Sequence, residues 1–565
     1  MPKAVELLRQ GKHEELWQMC CGYLKLDIEE FMNIQKRLLL EQLELLHESP
    51  LGKKIMRGAN PRTVEEFREM VPLTTYSDYC PELEQKREDF IPVKPSLWVH
   101  SSGRSGKYPY KWVPLTLKYT QELSKVLYGI GMLSCCDKWG DTSHIPTKIK
   151  ILYSVAPSPY ISGTFADVLR MQTPLTYMPS IEGSEKLTFE ERLRLGFEQS
   201  ISEGIDYFFG ISLVLVSIGE RFLQSSNEVD VRPYIRKPSA LWRLAKGKVK
   251  SRLAHRSMLP RDLWSLRGII GSGLDSHVYK DRIEKLWGRK PLDLYSCTEG
   301  GVIATQTWDY NGMTFVPNLN FLEFIPEEET LKWQMDSSYQ PNTLMLDEVE
   351  PGRNYELVFT NLHGGALVRY RIGDMVKIIS NRNEILGIEL PQMVFERRVD
   401  DLIDLFIVRL TERTIWQAIE DAGISYVDWV ACKDSGRPVL KLYIELKKEC
   451  NMSETDINKL IYHEIMESDS NDLHIDSPLR DDFAGFVDFG IESTILPSGT
   501  FSNYISHKQA EGADLAHLKP PHINPPAEVI SMLVSDTEEI YVVKPTKTEA
   551  TTTAEGESEA EKIIQ

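Results

Sequence analysis

Apolar residues recur every three or four positions through the first 70 residues, as in Phe31-Met32-Asn33-Ile34-Gln35-Lys36-Arg37-Leu38-Leu39-Leu40, and this spacing predicts helices. Val71-Pro72-Leu73-Thr74-Thr75-Tyr76 breaks the pattern. Leu97-Trp98-Val99-His100 and Lys111-Trp112-Val113-Pro114-Leu115 then read as extended segments on either side of a polar turn. Leu117 to Leu133 has helical spacing, and Lys148 to Val155 reads as a strand. From Phe189 to Arg256 helices are expected to dominate. They include the longest apolar run, Tyr207 to Ile218, which is read as a buried helix because it falls short of the ~20 residues of a membrane span.

Strand and helix patterns alternate from Leu266 to Ile270, Ser276 to Leu286 and Pro291 to Tyr295, the mark of a layered α/β domain. Val302 to Phe324, Tyr355 to Thr360 and Leu367 to Ile379 continue as strands, with Asn311-Gly312 as a hairpin turn. Beyond about residue 400 a shorter unit follows. Ile415 to Ala422 and Ser453 to Met466 read as helices, and Val427 to Lys433 and Pro438 to Leu446 as a β-pair. The expected class is α/β: a large multilayer α/β N-terminal domain with a smaller α+β (ferredoxin-like) C-terminal domain. The boundaries are a helical lead-in over 1–70, the main domain over 71–397, a hinge over 398–402, a mobile C-terminal domain over 403–540 and a disordered acidic tail over 545–565.

Composition narrows the picture. A chain of 565 residues is too long for one ordinary core. The excess of 83 acidic over 65 basic residues, a formal charge of -18, argues against a nucleic-acid surface spread over the chain. The eight cysteines form no Cys-x-x-Cys pair, so they are read as reduced thiols in a cytoplasmic protein, and the N-terminus lacks the pattern of a secretory signal. Nine Lys or Arg between Arg232 and Arg256 form either a solvated helix face or a surface for an anionic partner.

The candidate chemistry begins at Ser101-Ser102-Gly103-Arg104-Ser105-Gly106-Lys107, with Lys111 close behind. Hydroxyls, glycine amides and cations of this kind suit a polyphosphate, although the glycine spacing is not that of the nucleotide-fold phosphate loop. Tyr295-Ser296-Cys297-Thr298-Glu299-Gly300-Gly301 follows a strand, where α/β sites are usually built, and its carboxylate could hold magnesium over a triphosphate. Tyr370-Arg371-Ile372-Gly373-Asp374 puts an acceptor-only carboxylate at a glycine turn, which suits the two hydroxyls of a ribose. Phe395-Glu396-Arg397-Arg398-Val399-Asp400-Asp401 falls at the domain boundary, and Lys519 stands before Pro520-Pro521 late in the second domain.

This ordered set resembles the acyl-adenylate-forming superfamily. Within it the chain is most similar to the auxin-responsive acyl-acid amido synthetases, through Phe67 to Tyr76, Leu410-Thr411-Glu412-Arg413, Ser498-Gly499-Thr500-Phe501 and Leu518-Lys519-Pro520-Pro521. The resemblance covers about residues 65 to 525 and implies an adenylating N-terminal domain using ATP and Mg2+. By similarity, Ser101, Ser102, Gly103, Ser105 and Lys111 hold the phosphates, and Tyr295 stacks near adenine. Thr298 and Glu299 serve the α-phosphate and the metal. Asp374 binds the ribose with Arg398 assisting, Asp400 sits at the hinge, and Lys519 contacts the reacting carboxylate and α-phosphate.

Three positions and one loop length depart from that pattern. Arg104 stands where the family usually has Thr, and the loop is one residue longer around Tyr108 and Tyr110. Arg413 replaces a lysine, and His522 an arginine. The implied reaction joins a small carboxylic acid to an amine, with an amino acid as the leading acceptor. The alternatives are a coenzyme A ligase of phenylacetate type and a catalytically impaired nucleotide-binding relative. Acyl-pocket residues are expected in 154–166, 205–218 and 268–276. No membrane span and no nucleic-acid partner are expected.

Overall fold

The computed structural model describes residues 2–101, 111–153, 158–181, 187, 189–225, 237–272, 276–336, 338–399, 402–405, 409–434, 437, 439–467, 489–510 and 519–538. The described chain divides into two units, one reaching to Leu402 and the other beginning at Ile403.

The strands of the first unit are β1 (Leu97–His100), β2 (Trp112–Leu115), β3 (Ile149–Tyr153), β4 (Leu175–Met178), β5 (Tyr207–Ile211), β6 (Gly268–Ser272), β7 (Leu292–Cys297), β8 (Gly301–Thr305), β9 (Met313–Phe315), β10 (Asn320–Pro326), β11 (Asn354–Asn361), β12 (Tyr370–Ser380) and β13 (Gln392–Arg398). Eleven of them form one sheet in the order β10-β11-β12-β13-β9-β8-β7-β6-β5-β3-β4. From β4 to β7 neighbouring strands run parallel, and from β7 onward they run antiparallel. The sheet thus changes character at β7, so the turn that follows β7 opens where the strand pattern reverses, a place that favours ligand sites.

The parallel half is covered on both faces, and side-chain alternation divides its residues between two cores. Ile149, Ile151, Tyr207 and Ile270 face the core shared with helices Leu117–Leu133 and Ile161–Leu169. Leu152, Phe208 and Ile269 face the core shared with helices Phe189–Glu203, Ser212–Ser225 and Ser276–Trp287. This double burial corrects the expectation of one buried helix over Tyr207 to Ile218. Tyr207–Ile211 is β5, and the helix starts only at Ser212. A strand buried on both faces shows no polar alternation, so its sequence looks like a buried helix.

The helical lead-in is present as a series ending with Val64–Met70. The helix over Leu117–Leu133 matches its predicted limits and is capped by the Thr116 hydroxyl. The Asn311-Gly312 turn joins β8 to β9, with Tyr310 at φ 58° and Gly312 at φ 70°. Among the described residues no helix is long and apolar enough to cross a membrane, and none of the eight cysteines is in a disulfide.

The second unit holds a pair, β14 (Leu402–Asp404) and β15 (Arg409–Thr411), and a three-stranded sheet of β16 (Tyr426–Lys433), β17 (Val439–Leu446) and β18 (Gly490–Leu496). β16 and β17 are antiparallel, whereas β18 joins β17 in parallel after the crossover helix Glu454–Glu467. Its core is built on Ile415, Trp429, Leu442, Ile444 and Ile461, giving the expected α+β character. The tail over 545–565 lies outside the described residues.

Candidate active site

β1 and β2 pair antiparallel, with His100 opposite Trp112, so the phosphate-loop segment lies between two adjacent strands. At its base the Ser101 N–H donates to the Lys111 carbonyl at 3.0 Å, and the Lys111 N–H donates to Ser101 Oγ at 3.3 Å. The strand pair is further held by the His100 ring, packed edge-on against Trp112 and Tyr160 with centroids 4.6 and 4.3 Å away. Ser102, Gly103, Ser105 and the departures Arg104, Tyr108 and Tyr110 lie outside the described residues.

From this strand pair Lys111 reaches the turn after β7. Its Nζ lies 3.5 Å from Glu299 Oε1 and donates to the Tyr370 hydroxyl at 3.4 Å, and that hydroxyl is in turn 3.4 Å from the same carboxylate oxygen. Glu299 is buried, as is Thr298 beside it. A second contact ties β7 to β12: the Tyr295 hydroxyl donates to Asp374 Oδ2 at 2.7 Å. The Tyr295 ring lies 6.0 Å from that of Phe395 on β13. Asp374 is buried and pairs in register with Arg398 of β13. Gly373, at φ 78°, makes the local turn in β12, and its carbonyl accepts from the Val399 N–H at 2.8 Å. The structure therefore brings together Ser101, Lys111, Tyr295, Thr298, Glu299 and Asp374, with the Arg398 backbone alongside. Asp400 lies outside the described residues.

Electrostatics sort the side chains in this cluster. Burial, followed by the negative field of Glu299, pushes the Tyr370 phenol well above its ordinary pKa, so it is a hydrogen-bond donor and not a base. Burial, with Glu299 and then Asp374, likewise pushes the Cys297 thiol up. Cys297 is thus no nucleophile, and its sulfur accepts from the Gly300 N–H at 3.1 Å.

Several residues that support the site were not legible from the motifs. The Glu299 carbonyl accepts from Asn361 Nδ2 at 2.9 Å, and the Gly300 carbonyl accepts from Asn320 Nδ2 at 2.7 Å and the Tyr119 hydroxyl at 2.8 Å. Gly301, at φ 62°, closes this turn, and a Cβ there would lie 2.5 Å from the Tyr119 oxygen. The lead-in Phe67 to Tyr76 also gains a physical role. Thr74 bridges Tyr370 in parallel, with its N–H on the Arg369 carbonyl and its carbonyl accepting from the Arg371 N–H. The two arginines of the Arg-Tyr-Arg stretch are structural. Arg369 forks onto buried Glu323 at 2.8 and 3.1 Å, and Arg371 onto buried Glu356 at 2.6 and 2.8 Å.

Lys519 belongs to the second unit, where its Nζ lies 2.9 Å from Asp428 Oδ2. Asp428 Oδ1 is 2.8 Å from His522 Nε2, and His522 Nδ1 is 2.6 Å from Glu412 Oε1. Arg413 follows Glu412 in the first turn of helix Glu412–Asp421.

The parallel half of the first unit also encloses an apolar cavity of about 60 Å³, lined by Phe165, Tyr177, Tyr207, Phe209 and Ile270 among others. It draws on all three stretches expected to supply an acyl pocket.

The chain is similar to known proteins in two of its segments and in its fold. Residues 22–145 match the GH3 family N-terminal domain and residues 313–398 the GH3 family central domain. A jasmonoyl-L-amino acid synthetase of Nicotiana attenuata, JAR6, is 27% identical over 242 residues, which is 40% of this chain and 38% of that protein. The indole-3-acetic acid-amido synthetase GH3.3 of Arabidopsis thaliana is 26% identical over 219 residues, 37% of this chain and 34% of its own length. The match thus spans well under half of these curated relatives. Among solved structures, the acyl acid amido synthetase AtGH3.15 in complex with 2,4-DB superposes with a TM-score of 0.63 at 16% identity, covering 89% of this chain and 93% of that one. A 2-hydroxyisobutyryl-CoA ligase in its postadenylation state gives 0.58 at 15% identity, covering 90% and 92%. These likenesses establish a shared fold. Lys111 thus lies inside the segment similar to the GH3 family N-terminal domain, Tyr370 and Asp374 lie inside the segment similar to the GH3 family central domain, and the fold is shared with an acyl acid amido synthetase along most of the chain.

Proposed function

We propose that the protein is an ATP-dependent, AMP-forming ligase that activates a small carboxylic acid as its acyl-adenylate and transfers the acyl group to an amine, with an amino acid as the leading acceptor. The observation that carries this reading is the buried cluster of Lys111, Glu299 and Tyr370, set beside the Tyr295–Asp374 pair where the sheet changes from parallel to antiparallel. It gathers a cation, a carboxylate and hydroxyl donors in the order that phosphates, a ribose and a base require.

In this reading a substrate carboxylate oxygen bonds to the α-phosphorus of ATP and pyrophosphate departs. The amine nitrogen then bonds to the acyl carbon, AMP departs and the amine gives up a proton. Ser101, Ser102, Gly103, Ser105 and Lys111 grip the phosphates from the segment between β1 and β2, and Thr298 meets the α-phosphate. Glu299 is buried, yet its oxygen is only loosely held by Lys111 and Tyr370, which fits it to hold Mg2+. When bound, the ion neutralises charge on the phosphate oxygens. Asp374 accepts from the ribose hydroxyls with Arg398 assisting, Asp400 is the hinge between domains 71–397 and 403–540, and Lys519 offsets the charge that builds as two anions meet. The apolar cavity favours an apolar acyl group. As it stands it holds far less than the roughly 150 Å³ that a benzene-binding cavity offers, which favours short acids or movement of Phe165, Tyr177 and Phe209. Cysteines outside any disulfide support a cytoplasmic setting.

The test is acid-dependent pyrophosphate release over a panel of short aliphatic and aromatic carboxylic acids, with amino acids or coenzyme A as acceptors. Release with consumption of an amino acid is the expected result. Consumption of coenzyme A alone overturns the amide reading. ATP binding without release under any acid overturns both and leaves a nucleotide-binding relative.

A further inference from the structure

Both ring nitrogens of His522 face carboxylate oxygens: Nδ1 is 2.6 Å from Glu412 Oε1 and Nε2 is 2.8 Å from Asp428 Oδ1. A neutral imidazole has a donor on only one nitrogen, so at the other a lone pair would point at an anionic oxygen. Only the imidazolium satisfies both contacts. The ring is fixed in this pose by stacking on Trp429, with centroids 4.5 Å apart and planes at 20°. The backbone fixes it too: the Ala431 N–H donates to the His522 carbonyl at 2.6 Å and the Asn524 N–H to the Ala431 carbonyl at 2.8 Å.

Asp428 is the shared member of this cluster. It is buried, its Oδ1 also accepts from the Trp429 N–H at 3.1 Å, and its Oδ2 holds the Lys519 ammonium at 2.9 Å. Lys519 itself is exposed. Asp428 is therefore a carboxylate with two cationic partners, one locked into the fold and one on a long flexible stem. How firmly it holds the second depends on whether the first is charged. With an imidazolium in place much of the field of Asp428 is already neutralised. Without it Lys519 is left as the cation on Asp428 among the described residues, with the Glu412 carboxylate on the far side of the ring.

Resting on the adenylating role given to Lys519 above, we propose that Glu412, Asp428 and His522 form a resting site for Lys519, and that the His522 imidazolium is the positioning residue that keeps this hold weak enough for the lysine to leave and act.

The groups facing His522 are Glu412 from helix Glu412–Asp421, Asp428 from β16 and Lys519 from its own segment. Burial by itself lowers the pKa of the ring, and the bonds to Asp428 and Glu412 outweigh it, bringing it up to about 9. The cluster thus stays in its releasing state at neutral pH and passes to its holding state as pH rises through that value.

Two measurements on the full-length protein test this. The first needs no enzymatic activity: the rate at which an amine-reactive acetylating reagent modifies Lys519, read by mass spectrometry against an exposed reference lysine at pH 7.5. H522Q, which is neutral, should slow modification of Lys519 by about tenfold, and H522R should restore it. The second is acid-dependent pyrophosphate release between pH 6.5 and 10. The wild type should lose rate as one proton leaves near pH 9, H522Q should be slow by about tenfold with that step absent, and H522R should recover the rate and lack the step. Equal Lys519 labelling in wild type and H522Q overturns the resting site, as does a pH step retained in H522Q. If no acid supports release, the adenylation reading falls, and the labelling experiment still decides whether the charge of His522 governs Lys519.

Discussion

Replacing Arg371 with methionine separates structure from chemistry within Tyr370 to Asp374. The guanidinium lies almost wholly out of water, with 7% of its side chain exposed against 2% for Glu356, and the pair is bidentate at 2.6 and 2.8 Å. It also sits 3.9 Å from the Trp333 ring centre. Without it, Glu356 keeps the Thr330 hydroxyl, which donates to Oε2 at 3.0 Å. Leaving a buried carboxylate with no cation costs about 3–5 kcal/mol. Loss of the cation–π contact acts in the same direction by about 0.5–2 kcal/mol. Urea denaturation followed by circular dichroism should show the first unit's transition at a clearly lower midpoint in R371M. The second unit, with its own core, should keep its transition. The double variant R371M/E356L should recover most of the loss, because two apolar groups replace the pair and no charge is stranded. A first-unit stability within about 1 kcal/mol of wild type in R371M would refute the assignment of Arg371 as a structural residue.

Four other predictions concern the site and the second unit. D374N removes the charge that faces Tyr295, and it should raise the KM for ATP about 10- to 100-fold in the pyrophosphate-release assay; an unchanged KM would show that Asp374 does not meet the nucleotide. K519A should slow adenylation by about 100-fold or more while ATP binding measured by calorimetry stays intact. G301A forces a left-handed backbone onto a residue with a Cβ and drives that atom against the Tyr119 oxygen, so thermal unfolding should show a loss of about 2–3 kcal/mol. The second unit should weaken at alkaline pH. The His522 pKa is raised from 6.5 to about 9 in the fold, so its contribution is fully present below pH 6.5 and is lost as pH rises through about 9, a change of up to about 3 kcal/mol that H522Q should abolish.

Much of the first unit was legible because local chemistry and tertiary structure agree there. Thr116 and the apolar spacing after it fix the helix to Leu133, and Asn311-Gly312 fixes the turn between β8 and β9. Of the candidate site, Lys111, Glu299 and Asp374 could be found because each stands in a short motif, beside a strand end for Lys111 and Glu299 and beside a glycine turn for Asp374. Tyr370 was in plain view in such a motif, yet its hydroxyl gained a role only when β12 came beside the turn after β7. Asn320, Asn361 and Tyr119 carry no local signal, since each acts on the Glu299-Gly300 carbonyls from far along the chain.

The amino-acid sequence by itself determined which segments are amphipathic, where the chain turns, and which side chains can carry charge toward phosphate and ribose. These properties depend on near neighbours and on residue chemistry alone. Only the tertiary structure decided that Tyr207–Ile211 is a strand buried on both faces, that Arg369 and Arg371 serve buried carboxylates, and that His522 stands between Glu412 and Asp428 with Lys519 on the same carboxylate. Each of those outcomes turns on what lies opposite a side chain in space. Burial strengthens a charge's need for a partner, and the partner is chosen by sheet order and packing over separations of tens to hundreds of residues.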